Sequence, residues 1–573
     1  MKDFLWLIGG EAGYGIMSVG LTFSKLAARS GYNIFDYVEY PSLIRGGHNA
    51  YEVLVSEKET HALQHTINIL VCLNKDTFKF HNFRLEKDSF VIYDNEDFEF
   101  DGNYQRIAVP FKKILKEHKG ESIMKNTIAL GASLALLDGD ITMLFEMLEK
   151  QFGRKGKEVV EFNKVFAQAG FDHVKNNYQK FIQKALTKRE DKEKMIFSGN
   201  DAFAYASVAA DMRLYSAYPM TPSSTVLATL AAWQEKTGIV VRHAEDEIAV
   251  INTALGATFM GVRAAVGTSG GGFALMVESL SFAGVAEMPI IVFLSQRPGP
   301  ATGMPTWTEQ GDLLFAVHAG HGEFPKIVLA AGDIDEMLEL TLKSYNLADI
   351  YQTPVIVMSD MWLSESHKSI LKEKVDKMTS SYQIDRGKTT TSPGTEKYLR
   401  YKLATDGISD RLIPGAKGAF YQANSYEHEE DSHTTEGAKP RREQVGKRNQ
   451  KQDTYLAKHF ELPKIYGDIK KAVHVFVAWG GTKGPILETM GDLEKDGVPT
   501  ALIHFTHVYP MDRAKVSALF ADKKDYILVE NNSHGQLGKL LRQETGVDLT
   551  KSYLKYDGRP IYKEDLYEFI KGK

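Results

Sequence analysis

Short runs of Val, Ile and Leu without polar alternation, each closed by glycine or proline, recur along this chain and constrain its fold more than any other feature. Phe4-Leu-Trp-Leu-Ile, Ile67-Asn-Ile-Leu-Val-Cys-Leu, Ala264-Ala-Val-Gly-Thr, Pro289-Ile-Ile-Val-Phe-Leu, Pro354-Val-Ile-Val-Met, Val473-His-Val-Phe-Val-Ala-Trp-Gly and Tyr526-Ile-Leu-Val-Glu are examples. A strand open to water on one face alternates, whereas one covered on both faces reads as a continuous apolar run. The rhythm of such strands with turns and helices predicts α/β architecture with several parallel-sheet domains. At 573 residues the chain exceeds one hydrophobic core, and length predicts roughly three or four domains.

The boundaries follow the rhythm. A first segment, 1–185, opens with a strand, a glycine turn at Gly9-Gly-Glu-Ala-Gly-Tyr-Gly15 and a helix from about Ile16 to Ser30. A second, 194–370, carries the strongest strand punctuation. Between 371 and 465 the pattern dissolves into polar, Gly- and Pro-containing sequence, which predicts an extended connector over the protein or its partner. The last segment, 466–573, is a third small α/β unit. The basic cluster in 439–451, Lys-Pro-Arg-Arg-Glu-Gln-Val-Gly-Lys-Arg-Asn-Gln-Lys, reads as solvated connector rather than an anion site.

A formal charge of −5 with 25% charged residues gives no reason to expect nucleic acid or an acidic membrane surface. The first residues read as a strand, not a signal peptide, and no apolar stretch is long enough to span a bilayer, so a cytoplasmic chain is expected. The single cysteine, Cys72, reads as a buried strand residue. It excludes internal disulfides and any Cys-ligated iron–sulfur cluster held by this chain alone.

The chemistry gathers in the second segment. Tyr218-Pro-Met-Thr-Pro-Ser-Ser places Thr221 between two prolines that fix the backbone, and Ser223-Ser-Thr can cap the helix that follows. His243-Ala-Glu-Asp-Glu-Ile-Ala-Val-Ile-Asn-Thr-Ala-Leu-Gly-Ala257 then begins a helix with acids at its start and Ile248, Ile251 and Leu255 on one face. Small residues Ala254, Gly256 and Ala257 allow close approach of another element. Glu245 and Glu247 are both candidates for a buried working carboxylate, and both are equally readable as helix N-terminal charges favoured by the macrodipole. Thiamine chemistry needs such a carboxylate on N1′ of the aminopyrimidine. It also needs a Gly-Asp-Gly turn with a downstream Asn to hold the diphosphate through a divalent cation, and no Gly-Asp-Gly occurs in the chain. Half a thiamine-diphosphate site implies a partner polypeptide.

Together with Gly267-Thr-Ser-Gly-Gly-Gly-Phe273 and Arg297-Pro-Gly-Pro-Ala-Thr-Gly-Met-Pro-Thr-Trp-Thr-Glu-Gln-Gly-Asp-Leu313, these motifs closely resemble the α subunit of 2-oxoacid:ferredoxin oxidoreductases. The likeness covers nearly the whole chain. It is that of the fused form, with the family's γ domain at the N terminus, marked by 9–15 and Ile44-Arg-Gly-Gly-His-Asn49. Glu427-His-Glu-Glu-Asp and the Lys447-Arg pair resemble the 2-oxoglutarate branch.

The resemblance implies a thiamine-diphosphate pyrimidine-type domain flanked by the γ domain and a C-terminal transketolase-C-like domain. It implies Glu247 as the N1′ carboxylate, Thr221 with Tyr218 at the substrate's 2-oxoacid end, and Arg297 in one wall of the substrate pocket. Pro219, Thr268 and Ser269 would face the cofactor, while Arg45 and His48 would line the site or receive coenzyme A. This chain itself would hold no metal. A β subunit would hold the diphosphate, its Mg²⁺ and a [4Fe–4S] cluster, in a dimer of α–β pairs that passes electrons to ferredoxin. The implied reaction is oxidation of 2-oxoglutarate with CoA to succinyl-CoA and CO₂, or the reverse, carbon-fixing carboxylation. One departure stands out. The family often has Arg or Lys after Pro-Thr in the wall, a natural partner for a substrate carboxylate, and here the residue is Trp307. Either Arg45, His48 or Arg297 meets the distal carboxylate, or the substrate is a pyruvate-like, branched-chain or aryl 2-oxoacid.

Other readings remain open from the residues alone. Gly10-x-x-Gly13-x-Gly15 lacks the dinucleotide spacing and suits a tight strand-to-helix turn better than a phosphate cradle. Gly267-Thr-Ser-Gly-Gly271 formally fits a hydrolase elbow with Ser269 as nucleophile, without an evident acid and histidine behind it. His504 and His507 could contact a metal but lack a third ligand. A non-catalytic scaffold for a complete thiamine enzyme is a further possibility.

Overall fold

The computed structural model describes residues 3–41, 46–394 and 397–572, which form two compact units. The first comprises Met1–Phe197, Ser366–Val375 and Tyr562–Glu568; the second comprises Ser198–Glu365, Asp376–Ile561 and Phe569–Lys573.

The first unit is built on a sheet whose strands lie in the order Gln105–Ala108, Leu85–Tyr93, Ile67–Cys72, Phe4–Glu11, His48–Ser56, Asn33–Glu39, His367–Leu371, Lys194–Ser198. It is mixed rather than wholly parallel. His48–Ser56 runs antiparallel to both Phe4–Glu11 and Asn33–Glu39. Antiparallel neighbours need no crossover helix, so the helix-per-strand rhythm lapses here. The helix Ile16–Arg29 starts at Gly15, whose φ of 69° and approach to the Asn126 amide, 2.6 Å from where a β-carbon would sit, both require glycine. The 9–15 motif is thus a tight strand-to-helix turn. Cys72 is buried, and burial pushes its thiol well up.

The second unit holds two main sheets and a small two-stranded one, Thr389–Thr390 beside Arg411–Leu412. In the larger, His507–Tyr509 is antiparallel to Ile327–Ala330, and the remaining strands run parallel in the order Ile327–Ala330, Pro354–Asp360, Ile290–Gln296, Ala264–Thr268, Leu214–Ala217, Val240–His243. The smaller has the order Lys464–Gly467, Thr500–Phe505, His474–Trp479, Asp525–Glu530, Lys551–Leu554. One apolar core serves both, running from Val250, Ile251, Val266 and Val292 to Val477, Ile503 and Leu540. Burying this continuous surface is the main force holding the two sheets as one body.

The basic cluster is not solvated connector. It lies on the helix Ala438–Lys458, where Lys447, Arg448 and Lys451 are buried. Lys447 and Lys451 each place Nζ 2.6 Å from the Glu287 carboxylate, and Arg448 grips Glu427 through both guanidinium ends at 2.9 and 2.7 Å. Buried ammonium groups are tolerable only with such partners, and Glu287 is supplied from a distant part of the sequence.

Candidate functional site

Four motif segments leave the carboxyl ends of four neighbouring parallel strands. Tyr218 follows Leu214–Ala217, Ala244 follows Val240–His243, Ser269 follows Ala264–Thr268, and Arg297 follows Ile290–Gln296. The register aligns these ends, with Ala217 opposite both Gly267 and His243, and Thr268 opposite Leu294. The carboxyl edge of a parallel sheet is where such folds place their ligands.

The structure separates the two candidate acids. Glu245 is exposed, while Glu247 is 4% exposed at the start of the helix Glu247–Phe259. Between them Asp246 performs the capping, its carboxylate accepting from the Ala249 N–H at 2.8 Å. Glu247 is therefore free of that duty, and its Oε1 has no hydrogen-bond partner among the described residues. Leaving a buried carboxylate oxygen unpaired is costly unless something else arrives to meet it.

The neighbouring helix, Gly270–Val285, supplies the other side of this cradle. A β-carbon on Gly272 would overlap both Thr268 Oγ1 and Glu247 Oε1, and one on Gly270 would overlap the Asp312 carboxylate. Both positions demand glycine for close approach rather than for unusual dihedrals. Thr268 and Ser269 are fully buried, and Ser269 Oγ is a second orphan. Ser269 sits in extended backbone, φ −112° and ψ 179°, and among the described residues no base is bonded to its hydroxyl to activate it as a nucleophile.

Three local expectations are corrected. Ile248 is 51% exposed, whereas Val250, Ile251, Ala254 and Leu255 form the buried stripe. The helix axis centres that stripe on 247, 250, 251 and 254, which turns 248 outward. Gly256 has no atom within 4 Å of its missing β-carbon, so no element described here approaches it. Ser223 does not cap the helix Ser224–Thr237. Its backbone is already helical, φ −76° and ψ −9°, and its hydroxyl donates to Met220 O at 2.9 Å.

Thr221 is half-buried, and Arg297 Nη1 donates to its carbonyl at 2.7 Å, fastening the 218–224 turn to the wall segment. Tyr218 and Pro219 are exposed. The wall returns to Asp312, whose N–H donates to Gln296 Oε1 at 2.9 Å. Burial pushes the Asp312 carboxyl up to about 6 against the opposing pull of Arg297. Burial also raises Glu309 to about 7, with the charge of Asp312 adding to it. Burial lowers Arg297 from its ordinary value, with Asp312 opposing. Sequence reading missed Asp312 and Gly272 as site residues. A run of three glycines opening a helix, which disfavours helix formation, was the available signal for the second.

His48 belongs to the first unit. It packs over Gly9, with its Nε2 2.9 Å from His81 Nε2. Burial lowers its imidazole to about 4, so it is neutral near pH 7. Arg45 lies outside the described residues. His504 and His507 are core residues, contacting Gly480 O at 3.3 Å and the Tyr455 hydroxyl at 2.7 Å.

Comparison with known proteins agrees with this geometry. Residues 205–447 match the family described as "Pyruvate flavodoxin/ferredoxin oxidoreductase, thiamine diP-bdg", and residues 5–173 match "Pyruvate ferredoxin/flavodoxin oxidoreductase". The 2-oxoacid:ferredoxin oxidoreductase subunit alpha of Saccharolobus solfataricus is 32% identical over 99% of this chain and 97% of its own length. The 2-oxoglutarate oxidoreductase subunit KorA of Mycobacterium tuberculosis is 26% identical over 100% and 92%. A solved 2-oxoglutarate:ferredoxin oxidoreductase from Magnetococcus marinus, with 2-oxoglutarate, coenzyme A and succinyl-CoA bound, superposes with a TM-score of 0.92 at 32% identity, covering 100% of this chain and 99% of that one. The chain belongs to the 2-oxoacid:ferredoxin oxidoreductase α-subunit family. An open carboxylate oxygen in a dry, glycine-lined cradle fits the aminopyrimidine of thiamine diphosphate.

Proposed function

We propose that this chain is the α subunit, with a fused γ domain, of a thiamine-diphosphate-dependent 2-oxoglutarate:ferredoxin oxidoreductase. It would act with CoA to give succinyl-CoA and CO₂, or run the reverse carboxylation. The observation that carries the reading is the buried Glu247 with its unpartnered Oε1 against Gly272. The electron sink that decarboxylation needs comes from thiamine diphosphate when it is bound. This chain's part is orientation and proton control: Glu247 Oε1 would hold the proton at N1′, and Thr268 and Ser269 would close the cradle beneath the ring. Thr221, with Tyr218 and Pro219 around it, would receive the 2-oxoacid end of the substrate, and Arg297 keeps that turn in place through Thr221 O.

A β subunit would supply the Gly-Asp-Gly grip, Mg²⁺ and a [4Fe–4S] cluster, in a cytoplasmic dimer of α–β pairs serving ferredoxin. Its docking is supported by the exposed Ile248 and Leu275, 51% and 49%, on helices joined by the Asn252 amide donating to Ser279 Oγ at 3.1 Å. Apolar side chains exposed beside an orphaned acid suit an interface. No helix among the described residues is long and apolar enough to cross a membrane.

The test is 2-oxoglutarate- and CoA-dependent reduction of ferredoxin by the complex co-purified with its partner. Glu247→Gln should leave assembly intact and lower turnover by about 10²- to 10⁴-fold. Unchanged turnover removes Glu247 from the chemistry. Ferredoxin reduction by the partner alone would instead make this chain a scaffold.

A further inference from the structure

The wall segment carries a cation that none of the roles above uses. The Arg559 guanidinium lies over the Trp307 ring, its Cζ 3.3 Å from the centroid. Its backbone is fixed on both sides, with its N–H donating to Asp557 Oδ1 at 2.9 Å and its carbonyl accepting from Asn531 Nδ2 at 3.3 Å. The preceding Gly558 makes the approach possible. A β-carbon there would lie 3.1 Å from Met304 Cε and 3.3 Å from Trp307 Cβ, and its carbonyl accepts from the Thr308 N–H at 3.2 Å.

Among the described residues no carboxylate pairs with this guanidinium, since Asp557 turns to Lys555 at 3.4 Å. Arg559 is also only partly exposed. A half-buried cation held against an indole and left without an anion is ready for one from outside. A guanidinium held over an indole can still offer its paired N–H groups to a carboxylate bidentately, and those of Arg559 have no partner among the described residues.

The chain path places this cation beside the substrate wall. Met304 N–H donates to Pro298 O at 3.0 Å, and Trp307 N–H donates to Met304 O at 3.2 Å. The wall thus folds back by two turns, the second holding its end residues within about 7 Å of each other. Ala301 O meanwhile lies 3.9 Å from where a β-carbon of Gly271 would be, over the start of the Gly270–Val285 helix. Arg297 is already engaged by Thr221, and His48 is neutral near pH 7.

We propose that Arg559, shelved on Trp307, is the specificity residue that receives the distal carboxylate of a 2-oxodicarboxylate. A cation on the far segment thereby does the work that a tryptophan in the wall cannot. The inference rests on the 2-oxoglutarate reading above.

The experiment compares 2-oxoglutarate with 2-oxobutyrate, which lacks the second carboxylate, in the complex of this chain with its partner. Arg559→Ala should raise KM for 2-oxoglutarate by about 10- to 100-fold, the worth of one charge-assisted pair, and leave KM for 2-oxobutyrate within about twofold. Arg559→Lys should fall between, and Trp307→Leu should raise KM for 2-oxoglutarate more than for 2-oxobutyrate. Equal losses on both substrates, or no change on either, overturn the assignment. A wild-type complex that does not turn over 2-oxoglutarate sinks the parent reading itself, before any variant is measured.

Discussion

Two buried glutamates near opposite ends of one helix, Gly270–Val285, have opposite surroundings. Glu287 is fully enclosed, and each of its oxygens has a lysine Nζ at 2.6 Å. Burial pushes its carboxyl up, but Lys447, Lys451 and Arg400 outweigh that and hold it below the usual carboxylate range. Glu247 is nearly as buried, and one of its oxygens has no partner among the described residues. A buried acid held by two ion pairs ties distant parts of the chain together; one with neither ion pair nor hydrogen bond at an oxygen leaves that oxygen open to a ligand. Burial alone would rank these residues together, and only the accounting of partners separates structure from site.

That contrast can be broken in order of size. Glu247→Gln should remove at least a hundredfold in turnover and leave the denaturant midpoint of the complex unmoved; a large midpoint shift would place Glu247 with Glu287 as a structural acid. Glu287→Gln should do the reverse. It strands two buried ammonium groups and should cost about 3–5 kcal/mol in urea unfolding, while the fraction that remains folded turns over normally. Replacing Lys447 and Lys451 by Met in the same chain should recover most of the loss, because apolar residues of similar volume replace buried ion pairs well.

Gly272→Ala comes next. Its added methyl must displace Thr268 Oγ1 and Glu247 Oε1, so about a tenfold fall in turnover is expected alongside about 1–3 kcal/mol of strain. Thiamine retention on gel filtration should fall with it, and full retention would mean that the cradle lies elsewhere.

The smallest effect concerns pH. The folded Asp312 carboxyl, near 6 instead of its ordinary 3.8, binds its proton more tightly than the unfolded chain does. Its contribution to stability is therefore complete below about pH 4 and is lost as pH rises through about 6. Asp312→Asn should flatten that part of the melting-temperature profile, and an unchanged slope would assign it to another group, Glu309 first.

Much of the fold was legible because it is local. Strands such as Ile290–Gln296 and Pro354–Asp360 announce themselves by unbroken apolar runs, and both are buried at every position. The order of motifs was legible too, since each sits where a strand ends. What sequence could not give was pairing at a distance. Nothing local to 438–458 shows that Glu287 awaits its lysines, and that helix read as solvent-exposed. Helix position favoured Glu247 over Glu245 but could not give its contacts, because these depend on which flank faces Thr268 and Gly272. Arg559 was invisible for the same reason, lying some 250 residues from the tryptophan on which it rests.

Asp246 shows how little separates a working acid from an ordinary one. Asn, Ser or Thr could hold the Ala249 N–H as well as it does, so drift at 246 has several harmless destinations. On the role proposed for Glu247 its neighbour has none, since shortening, neutralising or branching that side chain would spoil either its reach or its charge. Adjacent letters of one helix start would therefore tolerate change unequally, although both are acidic, one as the cap and the other in the first turn.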